Sequence, residues 1–163
     1  MKKIPLTRNK IALVDDEDFD RVSVLKWCAM TNGQNLFYAR HDFKERGQSG
    51  LMHRFILEIT DPKIKIDHIN GHTLDNRKQN LRIASVSQNG MNRTRKQSNN
   101  KTGYRGVYLE KSRNKFRAEI SVNGKGKYVG IFNTAKEAAR AFDKAAIEFY
   151  GEFCGTLNFP GDK

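Results

Sequence analysis

Over residues 63–67 the apolar Ile64 and Ile66 alternate with Lys63, Lys65 and Asp67, the two-residue period of a half-buried strand, and the run leads into Asn70-Gly71, a strong turn dipeptide. A loop rich in Asn, Asp and Arg follows. Leu81-Arg82-Ile83 then reads as a second short strand, with Ser85 and Ser87 as candidate N-caps of a helix carrying Asn89. Upstream, residues 11–14 form an apolar strand candidate, and the acids Asp15 to Asp18 and Asp20 precede or join Phe19, Val22, Leu25 and Trp27. That pattern fits a short helix with acids at the positive end of its dipole. Residues 36–40 read as a strand, 47–50 as a turn and 51–59 as a short helix. Residues 93–101, RTRKQSNNK, are polar, basic and poor in apolar side chains, the composition of a linker.

Beyond residue 102 the pattern restarts. Residues 105–109, 115–122 and 127–132 are strand candidates, with Asn123-Gly124 as the hairpin turn between the last two. Residues 134–150 form a helix in which Thr134 and Glu137 make a capping box, Ala138, Phe142, Ala145 and Phe149 line one face, and Gly151 ends the run. In the middle strand Phe116, Ala118, Ile120 and Val122 point one way and Lys115, Arg117, Glu119 and Ser121 the other. One face is for the helix; the other is expected to be polar and mostly basic. The fold class is therefore α+β, ending in a small domain of a three-stranded antiparallel sheet packed on one helix.

The 163 residues suffice for one ordinary domain or two small ones, and 37% hydrophobic with 29% charged is a soluble globular balance. No apolar run approaches the roughly eighteen residues that span a bilayer, and the basic start MKKIPLTRNK is not followed by an apolar signal core. The expectation is a cytoplasmic protein without a membrane partner. Cys28 and Cys154 are far apart and lack paired spacing, which argues against a disulfide framework and a zinc knuckle. The acids near Asp16 fail as a calcium loop, since Arg21 and Trp27 stand where the turn glycine and the bidentate Glu belong.

Charge narrows the partner. The formal net charge is +12, with an excess of +2 over residues 1–60, +5 over 61–100 and +5 over 101–163. Between Asn76 and Leu109 there is no acid, while Arg77, Lys78, Arg82, Arg93, Arg95, Lys96, Lys101 and Arg105 all fall there. A polyanion is the expected partner. The strand-loop-strand-helix unit, meanwhile, can gather a carboxylate, an imidazole and an amide spread over about twenty residues, a trio suited to metal-assisted hydrolysis. Such hydrolysis requires a nucleophile made from water and neutralisation of growing negative charge. An imidazole with a pKa near 6.5 can take that proton at neutral pH.

Asp67-His68, Asn70-Gly71, Asn76-Arg77, Asn80-Leu81-Arg82 and Ser87-Gln88-Asn89 resemble the HNH nuclease motif in its homing-endonuclease form, over residues 51–93. The resemblance implies a ββα-metal nuclease unit in which His68 is the general base, Asp67 and Asn89 ligate one divalent metal, and Asn80 pins the loop. Carboxylate and amide oxygens without thiolate favour magnesium or manganese over zinc. His72 reads as a solvated loop residue, and His53 as a packing or supporting residue before the site. The segment before the motif, with Val14-Asp15, Asp18-Phe19, Lys26-Trp27 and His53-Arg54, resembles the leader of phage and bacterial endonucleases of this kind.

Tyr104-Arg105-Gly106-Val107, Phe116-Arg117-Ala118-Glu119-Ile120, Tyr128-Val129-Gly130 with Phe132, the Ala-rich helix and Leu157-Asn158-Phe159-Pro160 resemble the Apetala-two/ERF DNA-binding domain. By matching positions Arg105, Glu119 and Tyr128 fall on the family's DNA contacts. Tyr108, Ser121 and Gly126 stand where plant members carry basic contacts, and Tyr128 replaces a Trp. Arg113, Arg117, Lys125 and Lys127 are candidate phosphate contacts in compensation, joined by Lys115 on the polar sheet face and Arg93 in the acid-free stretch. The expected division is a nuclease domain over 1–93, a basic linker over 94–101 and a DNA-binding domain over 102–160. The expected function is metal-dependent cleavage of double-stranded DNA, with no small-molecule cofactor. The alternative is a DNA-binding regulator with an inactive HNH remnant; an RNA-binding role fits less well, since paired surface aromatics of the RNA-recognition kind are absent.

Overall fold

A computed structural model of the chain describes residues 1–31, 33, 36–43, 48–92 and 100–162. The backbone divides into two compact units, Met1–Ser85 and Val86–Lys163, each with its own hydrophobic core. Both are built from short antiparallel strands and few helices, an α+β architecture. Arg93 and most of the linker expected over 94–101 lie outside the described residues.

The first unit opens on strands β1 (Lys2–Pro5) and β2 (Ile11–Val14), paired antiparallel from Lys2↔Val14 to Pro5↔Ile11. Their turn places Arg8 and Asn9 at positive φ, 59° and 53°, the sense that matches the twist of a two-residue hairpin. Helix α1 (Phe19–Ser23) follows, but its acids do not act as the sequence pattern suggests. Asp18 occupies the N-cap position without a side-chain cap bond; its buried carboxylate instead takes two bonds from Arg21, at 2.9 and 2.5 Å. Asp15 accepts from the Lys78 backbone N–H at 2.8 Å and Glu17 pairs with Lys78 Nζ at 2.6 Å. The acidic cluster thus anchors the segment that precedes the second strand of the Asp67–His68 hairpin.

Strands β3 (Cys28–Thr31), β4 (Phe37–Phe43) and β5 (Gln48–Leu51) form a sheet in that order. The turn expected over 47–50 is mostly β5, paired with β4 from Arg40↔Leu51 to Phe43↔Gln48. Helix α2 (Met52–Ile56) is shorter than the 51–59 expected, because Glu58 turns left-handed at φ 57°. The Glu58 and Ile59 N–H groups bond back to the Phe55 and Arg54 carbonyls, a Schellman-type ending. The last pair, β6 (Lys65–His68) and β7 (Leu81–Ala84), aligns Asp67 with Arg82 and His68 with Leu81. Val14, Val22, Trp27, Met52, Ile56 and Ile66 are among the side chains of the shared core.

The second unit comprises α3 (Val86–Met91), the sheet β10-β9-β8 made of β8 (Val107–Glu110), β9 (Lys115–Val122) and β10 (Lys125–Phe132), and α4 (Ala135–Tyr150). Its helix begins with the capping box of Thr134 and Glu137, both bonds present. The division at Ser85 falls before α3, whereas the sequence placed that helix in the nuclease segment. The physical reason is that the Met91 side chain lies in the second core, with Val107, Ala118, Ile120 and Phe142. Gly106 has φ +71°, and a Cβ there would stand 2.1 Å from the Phe142 ring, so glycine is required where the Tyr104-Arg105-Gly106 run meets the helix.

Candidate functional site

Asp67 and His68 stand side by side at the end of β6, both buried at 4% and 5% exposure. Asp67 is held across the hairpin by its strand partner: Arg82 Nε and Nη2 both donate to Oδ2, at 3.0 and 2.8 Å. His68 turns to a different set of neighbours. Its Nε2 is 3.5 Å from Asn76 Oδ1, and its ring meets His53 of α2 edge-on, with centroids 5.1 Å apart at 89°. Tyr38 of β4 stands edge-on to both imidazoles, at 6.3 Å from His68 and 6.1 Å from His53.

Burial sets the charge state of this group. Loss of solvation pushes His68 below its usual range, opposed by the Asn76 bond and by the Asp67 and Asp75 carboxylates. Burial likewise pushes His53 down to about 3, with charge on His68, when that ring is protonated, and on Arg54 acting in the same direction. Tyr38 moves up, through burial and then the nearby Asp67 charge. At neutral pH both imidazoles are therefore uncharged, and His68 is competent to accept a proton.

The loop between the two strands is fixed from within. Asn80 Oδ1 accepts from the Asn70 N–H at 2.9 Å and its Nδ2 donates to the Asp75 carbonyl at 2.7 Å, so one amide closes both sides of the loop. Asp75 takes Arg77 Nε and Nη2 at 2.8 and 2.7 Å and Asn70 Nδ2 at 2.9 Å; the Arg77 guanidinium holds its carboxyl below the usual range. On its outer flank the loop borrows the edge of β2: Leu13 N–H donates to Leu74 O and Asn76 N–H to Leu13 O, each at 2.8 Å. Asn76 itself is 1% exposed. Arg82, Asn76 and Tyr38 are thus parts of the setting that the sequence did not assign. Only cross-strand register, which needs the hairpin alignment, could have paired Arg82 with Asp67.

Asn89 lies on α3, in the second unit. Among the described residues no group of three His, Cys, Asp or Glu side chains is gathered to hold a metal. A carboxylate and an amide form a smaller set of hard oxygen donors, the kind magnesium accepts when water and phosphate oxygens complete its shell. Asp67 in the first unit and Asn89 in the second each carry an oxygen donor of that kind. His72 is an exposed loop residue.

In the second unit the candidate DNA contacts separate by face. Register puts Tyr108, Arg117, Glu119 and Tyr128 on one side of the sheet. Tyr128 is 60% exposed there, and Arg117 lies 3.2 Å from Glu119 and over the Tyr108 ring. With Lys115 opposite Glu110, this face carries two bases and two acids, so it is balanced rather than mostly basic as the sequence suggested. Lys125 and Lys127 align with Val122 and Ile120, on the helix side, and Lys127 Nζ sits 3.9 Å over the Phe149 ring of α4. The bulge between Tyr128 and Gly130 belongs to the same strand. Arg113 is exposed in the β8–β9 turn. Arg105 is folded inward, its guanidinium donating to the Met91 carbonyl at 2.7 Å and the Thr156 carbonyl at 3.2 Å. Behind it, Asn158 Oδ1 accepts from the Arg105 N–H while Asp143 takes the Asn158 and Phe159 N–H groups, which explains the closing Leu-Asn-Phe run.

Residues 102–152 match the family model of the AP2 domain. Over 147 residues the chain is also 29% identical to a protein described as an uncharacterized HNH endonuclease of Acanthamoeba polyphaga mimivirus, an alignment covering 90% of this chain and 74% of that one. No solved structure matches the chain significantly. Together the two matches support the resemblance to an HNH endonuclease with an AP2 domain.

Proposed function

We propose that the protein is a metal-dependent endonuclease of the HNH homing type that hydrolyses a phosphodiester of double-stranded DNA, targeted by its AP2 domain. The observation that carries this reading is the buried pair Asp67 and His68, with the imidazole kept uncharged by its surroundings. Burying a carboxylate beside an imidazole costs solvation that an apolar pair would not, so the arrangement is expensive unless it serves chemistry.

In the reaction His68 accepts a proton from the attacking water, while the edge-on rings of His53 and Tyr38 fix the plane of its ring. Asp67, oriented by Arg82, and Asn89 would hold magnesium or manganese, which when bound supplies charge neutralisation at the phosphate and the departing oxygen. Asn80 keeps the loop closed behind the imidazole. On the AP2 domain, Tyr128, Arg117, Glu119, Lys115 and Arg113 present the groups that meet DNA, and Arg105 supports them from within.

The similarity to a protein described as an HNH endonuclease and the AP2 match support this assignment. A second reading, a DNA-binding regulator that does not cut, has one observation in its favour: Arg82 already neutralises Asp67. Supercoiled plasmid separates the two. With magnesium or manganese the protein should yield relaxed or linear DNA, and chelation should stop it. Plasmid that stays supercoiled with either metal while still shifting in a gel would support the regulator instead.

A further inference from the structure

Tyr38 stands on β4 opposite Met30 of β3. Its neighbour Ala39 is 2% exposed in the first core, and strand alternation turns Tyr38 to the other face, where its ring meets those of His53 and His68. A phenylalanine would serve that ring packing equally well, so the hydroxyl needs its own account. The residue is half-buried, and the hydroxyl of a buried tyrosine ordinarily finds a partner. No described residue hydrogen-bonds the Tyr38 hydroxyl. Among the described residues, the buried side-chain polar atoms without a hydrogen bond are Asp18 Oδ2 and Arg40 Nε, so the unbonded Tyr38 hydroxyl is open to solvent. It is also near enough to Asp67 for that carboxylate's charge to act on it.

What the hydroxyl offers is a donor without charge. The guanidinium groups around the β6–β7 hairpin are engaged: Arg54 with the Ile64 and Asp61 carbonyls, Arg77 with Asp75 and Arg82 with Asp67. A cation in place of Tyr38 would oppose the proton that His68 has to take up. A phenol, protonated at neutral pH and held by two rings, does not. We propose that Tyr38 is a catalytic residue whose hydroxyl donates a hydrogen bond to a non-bridging oxygen of the scissile phosphate, beside the water that His68 activates. This rests on the nuclease reading above and adds a substrate contact to it.

The test is Tyr38→Phe in the full chain, which keeps the ring and removes only the hydroxyl. Its melting temperature should match wild type, because no bond to a described residue is lost. Its affinity for duplex DNA should stay within about threefold, since binding is spread over many phosphates. Single-turnover cleavage at saturating magnesium should fall roughly a hundredfold, the lower end of what one transition-state donor is worth. Sulfur, a weaker acceptor than oxygen, supplies a readout that ring packing would not move. With sulfur at one non-bridging position of the mapped cleavage site, wild type should slow roughly tenfold more than Tyr38→Phe does, for one of the two diastereomers. Cleavage by Tyr38→Phe at the wild-type rate would overturn the proposal, as would equal sulfur penalties in both proteins for both diastereomers. A measurement that needs no cleavage separates this from failure of the nuclease reading. In protein labelled with 3-fluorotyrosine, the Tyr38 fluorine resonance, assigned by its loss in Tyr38→Phe, should shift on adding duplex DNA with calcium in place of magnesium. No shift overturns the contact even where the protein cuts. A shift without cleavage in magnesium or manganese overturns the nuclease reading and the catalytic role, and leaves only a phosphate contact.

Discussion

His53 is the group whose titration separates most clearly between folded and unfolded chain. In the fold its imidazole is pushed down to about 3, chiefly by burial, whereas in the unfolded chain it titrates near 6.5. Below about pH 6.5 the unfolded state takes up a proton that the folded state refuses, so the stability His53 allows above that pH is lost as pH falls towards 3, by up to about 1.4 kcal/mol per pH unit. His53→Phe keeps an edge-on ring against His68 without a titrating group. Urea unfolding at pH 7 and pH 5 should show a smaller acid loss in the variant, and an equal loss in both proteins would contradict the assignment of that loss to His53. The two residues at the end of β6 fail differently. His68→Ala removes the proton acceptor and should reduce cleavage by at least about a hundredfold while DNA binding persists. Asp67→Ala deprives Arg82 of a partner as well as the proposed ion of its carboxylate. Its activity should recover in part as magnesium or manganese is raised, and that of His68→Ala should not. Full cleavage by His68→Ala in a plasmid assay would end the HNH assignment.

The β6–β7 hairpin shows what an element adds to these residues. Its strands hold only four residues each, so the long loop between them has to be fixed by side chains and by the β2 edge. Asn80→Ala removes an acceptor for the Asn70 N–H and a donor to the Asp75 carbonyl at a buried position, and should cost about 1–3 kcal/mol by chemical denaturation. Asn80→Asp keeps the acceptor but sets a buried carboxylate oxygen against the Asp75 carbonyl, and should cost at least as much as Asn80→Ala. This hairpin was legible because Ile64 and Ile66 alternate with polar residues and Asn70-Gly71 closes the run. The strand β5 was not, since Gln48-Ser49-Gly50 carries the composition of a turn and becomes a strand only through pairing with β4. The AP2 sheet was readable for a similar reason to the hairpin: β9 alternates without interruption. What alternation in one strand could not give is how β10 aligns with it, and that register turns Lys127, a candidate phosphate contact, to the helix side and over the Phe149 ring. Candidate chemistry was legible as residue types at a spacing; Arg82 on Asp67 and His53 on His68 were not, because both contacts join elements far apart in sequence.

At the scale of the molecule, the net charge of +12 and the eight bases between Asn76 and Leu109 remain the strongest electrostatic argument for a polyanion. Since the exposed sheet face is balanced, that charge should act through phosphates, and affinity for duplex DNA should fall log-linearly with salt; a salt-insensitive association would contradict it. The division of the chain refines where a working fragment begins. Residues 86–163 contain the whole second core, including Met91, together with the Arg105 bond to its carbonyl. A fragment starting at Asn99 has the complete AP2 sheet and helix but lacks both. Truncating a buried Met to Ala costs about 2–5 kcal/mol in a well-packed core, and losing a charged donor's acceptor adds to it, so the shorter fragment should be less stable by at least about 2 kcal/mol. Both should bind duplex DNA at low temperature, and neither should cut it, since Asp67 and His68 are absent from both. Thermal unfolding followed by circular dichroism compares them directly: equal melting temperatures would mean that Met91 contributes nothing to the second core, and cleavage by either fragment would place the chemistry outside the β6–β7 hairpin.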